Sequence, residues 1–248
     1  MRTATVLLVI VVLSAVAAQA QGRQGGGNPS PRAAAPIDLT GTWVSVVTED
    51  WRWRMRTPPK GDYTSLPLTE AAIKIANTWD PGRDAASGEQ CRGYGAPAIM
   101  RLPGRIRVGW ANEATLRIDT EAGMQTRLLH FVKPQPPGPP SWQGASVATW
   151  QFAGGRRGGG ASNGGSLLVV TGNLRPGYLR KNGVPYSTDA QVTEFYNVVT
   201  DTTTNDTWLF VTTMVEDPQF LNVPRFVTSS HFKKTDGAAW NPVACEAP

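Results

Sequence analysis

The residues best suited to chemistry are concentrated between Trp51 and Arg56. This segment, WRWRMR, is the densest cluster of aromatic and cationic side chains in the chain. The alternation predicts a strand with two unlike faces, one carrying Trp51, Trp53 and Met55 and the other carrying Arg52, Arg54 and Arg56. Such a strand is either half-buried with solvated arginines, or a binding wall whose rings contact a ligand while the arginines orient an anion or carbonyl group.

Glu194 is the main candidate for acid–base chemistry. It shares a predicted strand face with Val192 and Tyr196, and a carboxylate on an apolar face must be paired or have a raised pKa. One interpretation is a buried structural ion pair, for which the expected partners are arginines such as Arg101, Arg127 and Arg180. The other is a general acid or base that works with His130 or a tyrosine.

Further ring and cationic side chains complete the predicted ligand-binding set. Tyr94 and Tyr196 would supply rings beside Trp51 and Trp53. A second group lies near a predicted turn that would frame the mouth of a barrel, and it includes Tyr178, Arg180, Lys181 and Tyr186. Tyr178 and Arg180 of this group, together with the rings above and with Arg52 and Arg54, predict contacts with a small molecule.

The common catalytic signatures are missing from the sequence. It contains no Gly-x-Ser-x-Gly, His-Glu-x-x-His or Cys-x-x-Cys motif. His130 and His231 are each followed by phenylalanine in a predicted strand, and we interpret both as structural, so neither a metal nor a cofactor is predicted. The formal net charge of +5 is mild, and no known nucleic-acid-binding motif is present, which argues against a nucleic-acid partner.

The N-terminal segment predicts export. Residues 1–20 combine an early arginine, a short apolar run and the triplet Ala18-Gln19-Ala20, which is typical of a signal peptide cleaved after Ala20. The apolar run is too short to span a bilayer comfortably. Residues 21–36 are rich in Gly, Pro and Ala and predict a disordered leader, so residues 37–248 form the predicted domain of a periplasmic or secreted protein.

The two cysteines, Cys91 and Cys245, predict one disulfide. An isolated pair in an oxidising compartment is explained most simply in this way. The bond would tie the C-terminal tail to the middle of the chain.

The remaining pattern predicts a mainly β fold. About ten strands with alternating apolar residues are separated by turns, and a meander of this length must close on itself to hide its edges. We therefore expect one antiparallel β-barrel. A single short helix is predicted over Glu70–Trp79, with Thr69 as its N-cap. The glycine-rich stretch 154–165 is expected to be the tip of a hairpin, since it lacks the features of a phosphate-binding loop.

Two resemblances add to this picture. Gly41-Thr42-Trp43, at the start of the first strand, resembles the G-x-W signature of lipocalins and other calycin-like barrels. The chain is also similar to a family of uncharacterised exported bacterial proteins, through DLTGTW at Asp38, EQCRGYGAPAIMRLPGRIRV at Glu89, TRLLHF at Thr126, WQGASVATW at Trp142, YLRKNGVPYS at Tyr178, VTEFY at Val192 and VEDPQFLNVP at Val215. The resemblance implies a lipocalin-like barrel and no established activity.

Three functions are compatible with these observations. The first is an exported protein that binds a small, largely apolar or amphipathic molecule in the barrel. The second is an enzyme on the same scaffold, an isomerase, hydratase or hydrolase that uses Glu194 with His130 or a tyrosine. The third is a structural or interaction protein of the cell envelope whose barrel is filled by side chains.

Overall fold

The protein is described by a computed structural model that covers residues 28–134, 137–154, 164–237 and 239–246. The strands, β1 to β13 in chain order, are Gly41–Val46, Arg105–Asn112, Thr115–Thr120, Ala122–Gly123, Thr126–His130, Ala145–Phe152, Gly165–Gly172, Gly177–Arg180, Val184–Tyr186, Gln191–Thr200, Thr207–Glu216, Phe226–Thr235 and Val243–Ala244. The helices α1 to α4 are Trp51–Arg54, Glu70–Ala76, Pro81–Ala86 and Ala96–Ile99, and a 3-10 helix covers Gln90–Tyr94. The predicted signal peptide, residues 21–27 of the leader and residues 155–163 of the glycine-rich tip lie outside the described residues.

Nine strands close into a barrel in the order β1-β12-β11-β10-β7-β6-β5-β3-β2. The prediction of a closed, mainly β barrel is therefore confirmed. The prediction that it is purely antiparallel is wrong, because β5 and β6 pair in parallel. Parallel neighbours need a crossover of a dozen or more residues, and the segment 131–144 between these two strands supplies it.

The barrel interior is packed with side chains. The alternation seen in the sequence places one residue in two of each strand inside, and the fully buried interior residues include Trp43, Leu129, Leu167, Leu209 and Phe232. The indole Nε1 of Trp43 donates to the carbonyl of Leu39. A barrel of this size is just wide enough for its side chains to fill it.

The two ends of the barrel are covered by different parts of the chain. At the end where β1 begins, the indole of Trp150 donates to the carbonyl of Pro31, and Ala35 and Ile37 pack on the core. Residues 28–36 of the predicted leader thus lie on the barrel through these apolar contacts and hydrogen bonds. At the opposite end lie α4, the 3-10 helix and the β8–β9 hairpin.

The helix predicted over Glu70–Trp79 is found as α2, which ends three residues earlier. Its N-cap is the predicted one, since the hydroxyl of Thr69 accepts from the backbone N–H of Ala72. The expectation of a single helix is wrong, because α1, α3, α4 and the 3-10 helix are also present. These elements are so short that the sequence carries little helical periodicity.

Cys91 and Cys245 form the predicted disulfide. It joins the 3-10 helix to the C-terminal tail, where β13 pairs in parallel with β4. Across the ranges that the structure describes, no helix combines the length and apolar character needed to cross a membrane.

Candidate binding cleft

The segment predicted to be a strand with two unlike faces is a helical turn. Trp51–Arg54 forms α1, which follows Asp50 in the left-handed backbone region. The turn separates the two tryptophans, since Trp51 is 65% exposed while Trp53 is half-buried. Arg54 is turned inward and is only 7% exposed. The strand prediction at 51–56 is therefore wrong, because six residues of alternation do not distinguish a strand from one turn of helix held by tertiary contacts.

The inward side chains of α1 are held by specific hydrogen bonds. Arg54 donates through Nε to the carbonyl of Arg101 at 2.9 Å and through Nη1 to Glu49 at 3.0 Å. The indole Nε1 of Trp53 donates to the carboxylate of Asp62 at 3.1 Å. These contacts fix Trp53 and Arg54 against the capped end of the barrel.

A second element, the turn between β8 and β9, faces α1. The amide of Asn182 donates to the carbonyls of Pro59 and Asp62 at 3.1 and 3.0 Å. Gly183 has a positive φ of 84°, and a Cβ there would clash with the side chain of Trp79, so the turn requires glycine. This arrangement places Arg180 and Lys181 opposite α1.

These elements enclose a cleft of about 540 Å³, including the part open to solvent. Three of the residues predicted to bind a ligand line it: Trp53, Arg54 and Arg180. The remaining wall was not predicted as a binding surface and consists of Thr57, Leu66, Gly93, Ala98, Arg101, Leu102, Leu179, Lys181 and Phe226. Most of these residues lie in turns and at element ends, where no periodic pattern marks a shared surface.

Several cationic groups line the cleft. The guanidinium of Arg180 lies 5.4 Å from the ring centroid of Trp53 and donates to the carbonyl of Thr64 at 3.1 Å. Arg101 pairs with Asp50 at 2.6 Å. Burial and the nearby charge of Arg101 lower the pKa of Arg180 to about 10.

Two predicted tyrosines lie beside the cleft rather than in it. The hydroxyl of Tyr94 accepts from Lys181 at 2.9 Å. Tyr178 donates to the carboxylate of Asp84 at 2.7 Å, and burial followed by this hydrogen bond raises its pKa. Both tyrosines line a smaller niche of about 210 Å³. Of the α1 residues, Trp51 and Arg52 lie outside the lining of the cleft.

Glu194 and Tyr196 lie inside the barrel, away from the cleft. Glu194 has no exposed surface and receives two hydrogen bonds from Arg127, at 3.0 and 2.6 Å. Arg127 also contacts the hydroxyls of Tyr196 and Thr171, each at 3.4 Å. Burial would lower the pKa of Arg127, but the charges and hydrogen bonds of Glu194 and Tyr196 together outweigh this effect and raise it. The ion pair expected from the sequence is thus present, with Arg127 as the partner.

In the described part of the chain, neither histidine forms a hydrogen bond with this carboxylate. His130 lies on β5 with its Nδ1 3.3 Å from the hydroxyl of Thr115. His231 lies on β12, a strand that is not a neighbour of β5 in the barrel, and contacts Thr48 and Ser229. Throughout the described part of the chain, no three His, Cys, Asp or Glu side chains are grouped as a metal site would require.

Comparisons of the chain with protein-family models, with curated proteins and with solved structures found no match. Membership of a lipocalin-like or exported bacterial family therefore stays a prediction. Inferences about function rest on the barrel and the cleft alone.

Proposed function

We propose that this is an exported binding protein that holds one small, largely apolar molecule in the cleft at the capped end of its barrel. The observation that carries the proposal is the meeting of Trp53, Arg54 and Arg180 in a single cleft. Arg180 is far along the chain from Trp53 and Arg54, and the fold brings the three to one surface. Aromatic and apolar walls with a few polar groups are typical of small-molecule sites.

The apolar part of the cleft supports this assignment. The cleft is lined, together with the ring of Trp53, by Leu66, Leu102, Leu179 and Phe226. The barrel interior, in contrast, is filled by its own side chains, so we place the ligand beside the barrel and not within it. This shifts the expected site from the barrel core to the elements that cap it.

Export and a lipocalin-like origin are parts of the same proposal. The N-terminal sequence has the pattern of a signal peptide, and the disulfide between Cys91 and Cys245 suits an oxidising compartment. The G-x-W sequence begins β1, and Trp43 lies in the barrel core beneath Lys234. These features support a calycin-like carrier.

A neutral fluorescent probe tests the proposed binding. Phenylnaphthylamine, which becomes bright in apolar surroundings, would be titrated into the purified full chain, into Thr57→Trp and into Thr202→Trp. Thr57 lies at the wall of the cleft, whereas Thr202 is exposed in the β10–β11 turn at the other end. We expect Thr57→Trp to weaken binding by about tenfold or more, because the new ring occupies the cleft, and Thr202→Trp to change nothing.

Two results would overturn the proposal. If the probe does not bind, the third function, an envelope protein without a ligand, is favoured. If both tryptophan variants bind as the parent does, the cleft is not the site. Native mass spectrometry of the protein purified from cells adds an independent check, since a bound molecule would appear as a stoichiometric mass increase that Thr57→Trp reduces.

A further inference from the structure

All the charged residues found in the lining of the cleft are cationic. Four cationic residues line it: Arg54, Arg101, Arg180 and Lys181. No aspartate or glutamate is found among the described residues of its wall. A concave surface lined by one sign of charge raises the local concentration of the opposite ion.

Two of these cations form ion pairs with carboxylates that lie outside the lining of the cleft, and the other two do not. Glu49 pairs with Arg54, and Asp50 pairs with Arg101. Arg180 and Lys181 instead contact neutral oxygens, the carbonyl of Thr64 and the hydroxyl of Tyr94, and in the described ranges neither forms an ion pair. Asp50 and Asp62 act on Arg180 through their charge without pairing with it, so the wall itself keeps an excess of positive charge.

Two arginines of the cleft also have buried N–H donors that make no hydrogen bond within the described part of the protein. Nη2 of Arg54 and Nη1 of Arg101 are buried without a hydrogen-bond partner among the described atoms. Burial lowers the pKa of Arg54, and repulsion from Arg101 lowers it further; the same two causes act on Arg180. A negative charge in the cleft would relieve this repulsion, and the protein itself leaves these two buried donors without an acceptor.

We propose that the cleft selects an amphipathic anion, that is, an apolar body carrying one carboxylate, phosphate or sulfonate group. The charged group lies between Arg180 and Lys181, and the apolar body lies against Leu102, Leu179 and Phe226. The planar guanidinium of Arg180 is suited to bidentate contact with such a group. This inference rests on the proposed function, because it names the chemical class of molecule that the same cleft takes.

The test compares two probes with nearly the same aromatic body. Anilinonaphthalenesulfonate carries a sulfonate, and phenylnaphthylamine carries no charge. We expect the full chain to bind the sulfonate about tenfold more tightly at low salt, with the difference shrinking as salt is added. Octanoate should displace the sulfonate probe, whereas octanol and acetate, which each lack one half of the proposed ligand, should displace it poorly.

Substitutions assign the effect to the cleft. Arg180→Gln and Lys181→Gln should each weaken sulfonate binding by about tenfold, the size expected for loss of a charge-assisted hydrogen bond, and should weaken phenylnaphthylamine binding much less. Arg83→Gln is the matched control, because it removes the same charge from an exposed position on α3. Thermal unfolding of each variant shows whether it is folded, and Lys181→Gln carries the test if Arg180→Gln is not.

The outcomes separate this inference from the proposed function. If neither probe binds, the proposed function fails and the inference fails with it. If the two probes bind equally well, or if Arg180→Gln and Lys181→Gln weaken both probes alike, the cleft binds apolar molecules without selecting anions and only the inference is overturned. A loss of sulfonate binding in Arg83→Gln equal to that in the cleft variants would also overturn it, because general surface charge would then explain the preference.

Discussion

At the scale of single residues, the most constrained group is the pair formed by Arg127 and Glu194 inside the barrel. Both side chains are fully buried, and two hydrogen bonds join them. Thr171 and Ser146 extend the network, with a 2.7 Å contact between their hydroxyls. Removing two charges from water is costly, and mutual attraction repays the cost only when the geometry is good. The pair therefore makes the barrel sensitive to any change that leaves one partner alone.

Breaking this pair should destabilise the protein strongly. We expect Glu194→Leu or Arg127→Met to lower the free energy of unfolding by about 3–5 kcal/mol, because each leaves an uncompensated buried charge. The double variant Arg127→Met/Glu194→Leu should be much closer to the parent. Urea unfolding followed by circular dichroism measures the four proteins. A double variant that loses as much as the sum of the single ones would contradict a coupled pair.

Buried tyrosines predict a sharp loss of stability at alkaline pH. Burial raises the pKa of Tyr178, Tyr186 and Tyr196, and for Tyr196 the charge of Glu194 adds to the effect. In the unfolded chain these phenols ionise near pH 10, so their contribution is present below pH 10 and is lost as the pH rises above it. Ultraviolet absorbance should show the three phenols ionising together with unfolding. Ionisation of all five tyrosines near pH 10 with the fold intact would contradict this prediction.

The sequence predicted that Glu194 would be paired or have a raised pKa, but it did not identify which arginine would pair with it. Alternation alone placed a carboxylate on an apolar face, and elementary electrostatics then required pairing. Choosing Arg127 over Arg101 or Arg180 needed the strand register, which a sequence does not specify across nine strands. Arg101 and Arg180 instead belong to the cleft.

At the scale of elements, α1 and the β8–β9 hairpin build the cleft. The sequence identified the tryptophans and arginines of α1 but not its helical geometry, because Arg54 and Trp53 are positioned by contacts with Arg101 and Asp62, which lie outside the segment. Long strands such as β10 and β11 carry up to ten residues of alternation, which is a strong signal. Short capping elements carry no such signal, and these elements form the site.

A pair of substitutions distinguishes the helical turn from a strand. In a strand, Trp51 and Trp53 would share one face, whereas in α1 only Trp53 lines the cleft. We expect Trp53→Ala to weaken phenylnaphthylamine binding by about tenfold, through lost apolar contact, and Trp51→Ala to leave it unchanged. Fluorescence titration measures both. Equal losses would favour a shared face and contradict the arrangement described for α1.

At the scale of the whole molecule, the disulfide adds a covalent link to a closed barrel whose two ends are covered. The loop between Cys91 and Cys245 spans a sequence separation of 154 residues. A closed barrel followed from the number and spacing of predicted strands, while the parallel β5–β6 pair did not, because the crossover at 131–144 has no periodicity to reveal its path. The disulfide was predictable because only two cysteines are present.

Removing the disulfide should lower stability without destroying the barrel. The double variant Cys91→Ser/Cys245→Ser is expected to lose up to about 4–5 kcal/mol of unfolding free energy, because a long loop is released in the unfolded chain. Chemical denaturation measures the loss, and the parent protein under reducing conditions is the matched control. A variant as stable as the oxidised parent would show that the bond constrains little.

The central claim is that the ligand site lies in the cleft beside the barrel. The most direct measurement is a crystal structure of the full chain soaked with phenylnaphthylamine. We expect ring density between Trp53 and Leu179, with Leu102 and Phe226 in contact. Density inside the barrel, between Leu129 and Leu167, would contradict it, as would an empty cleft at saturating probe.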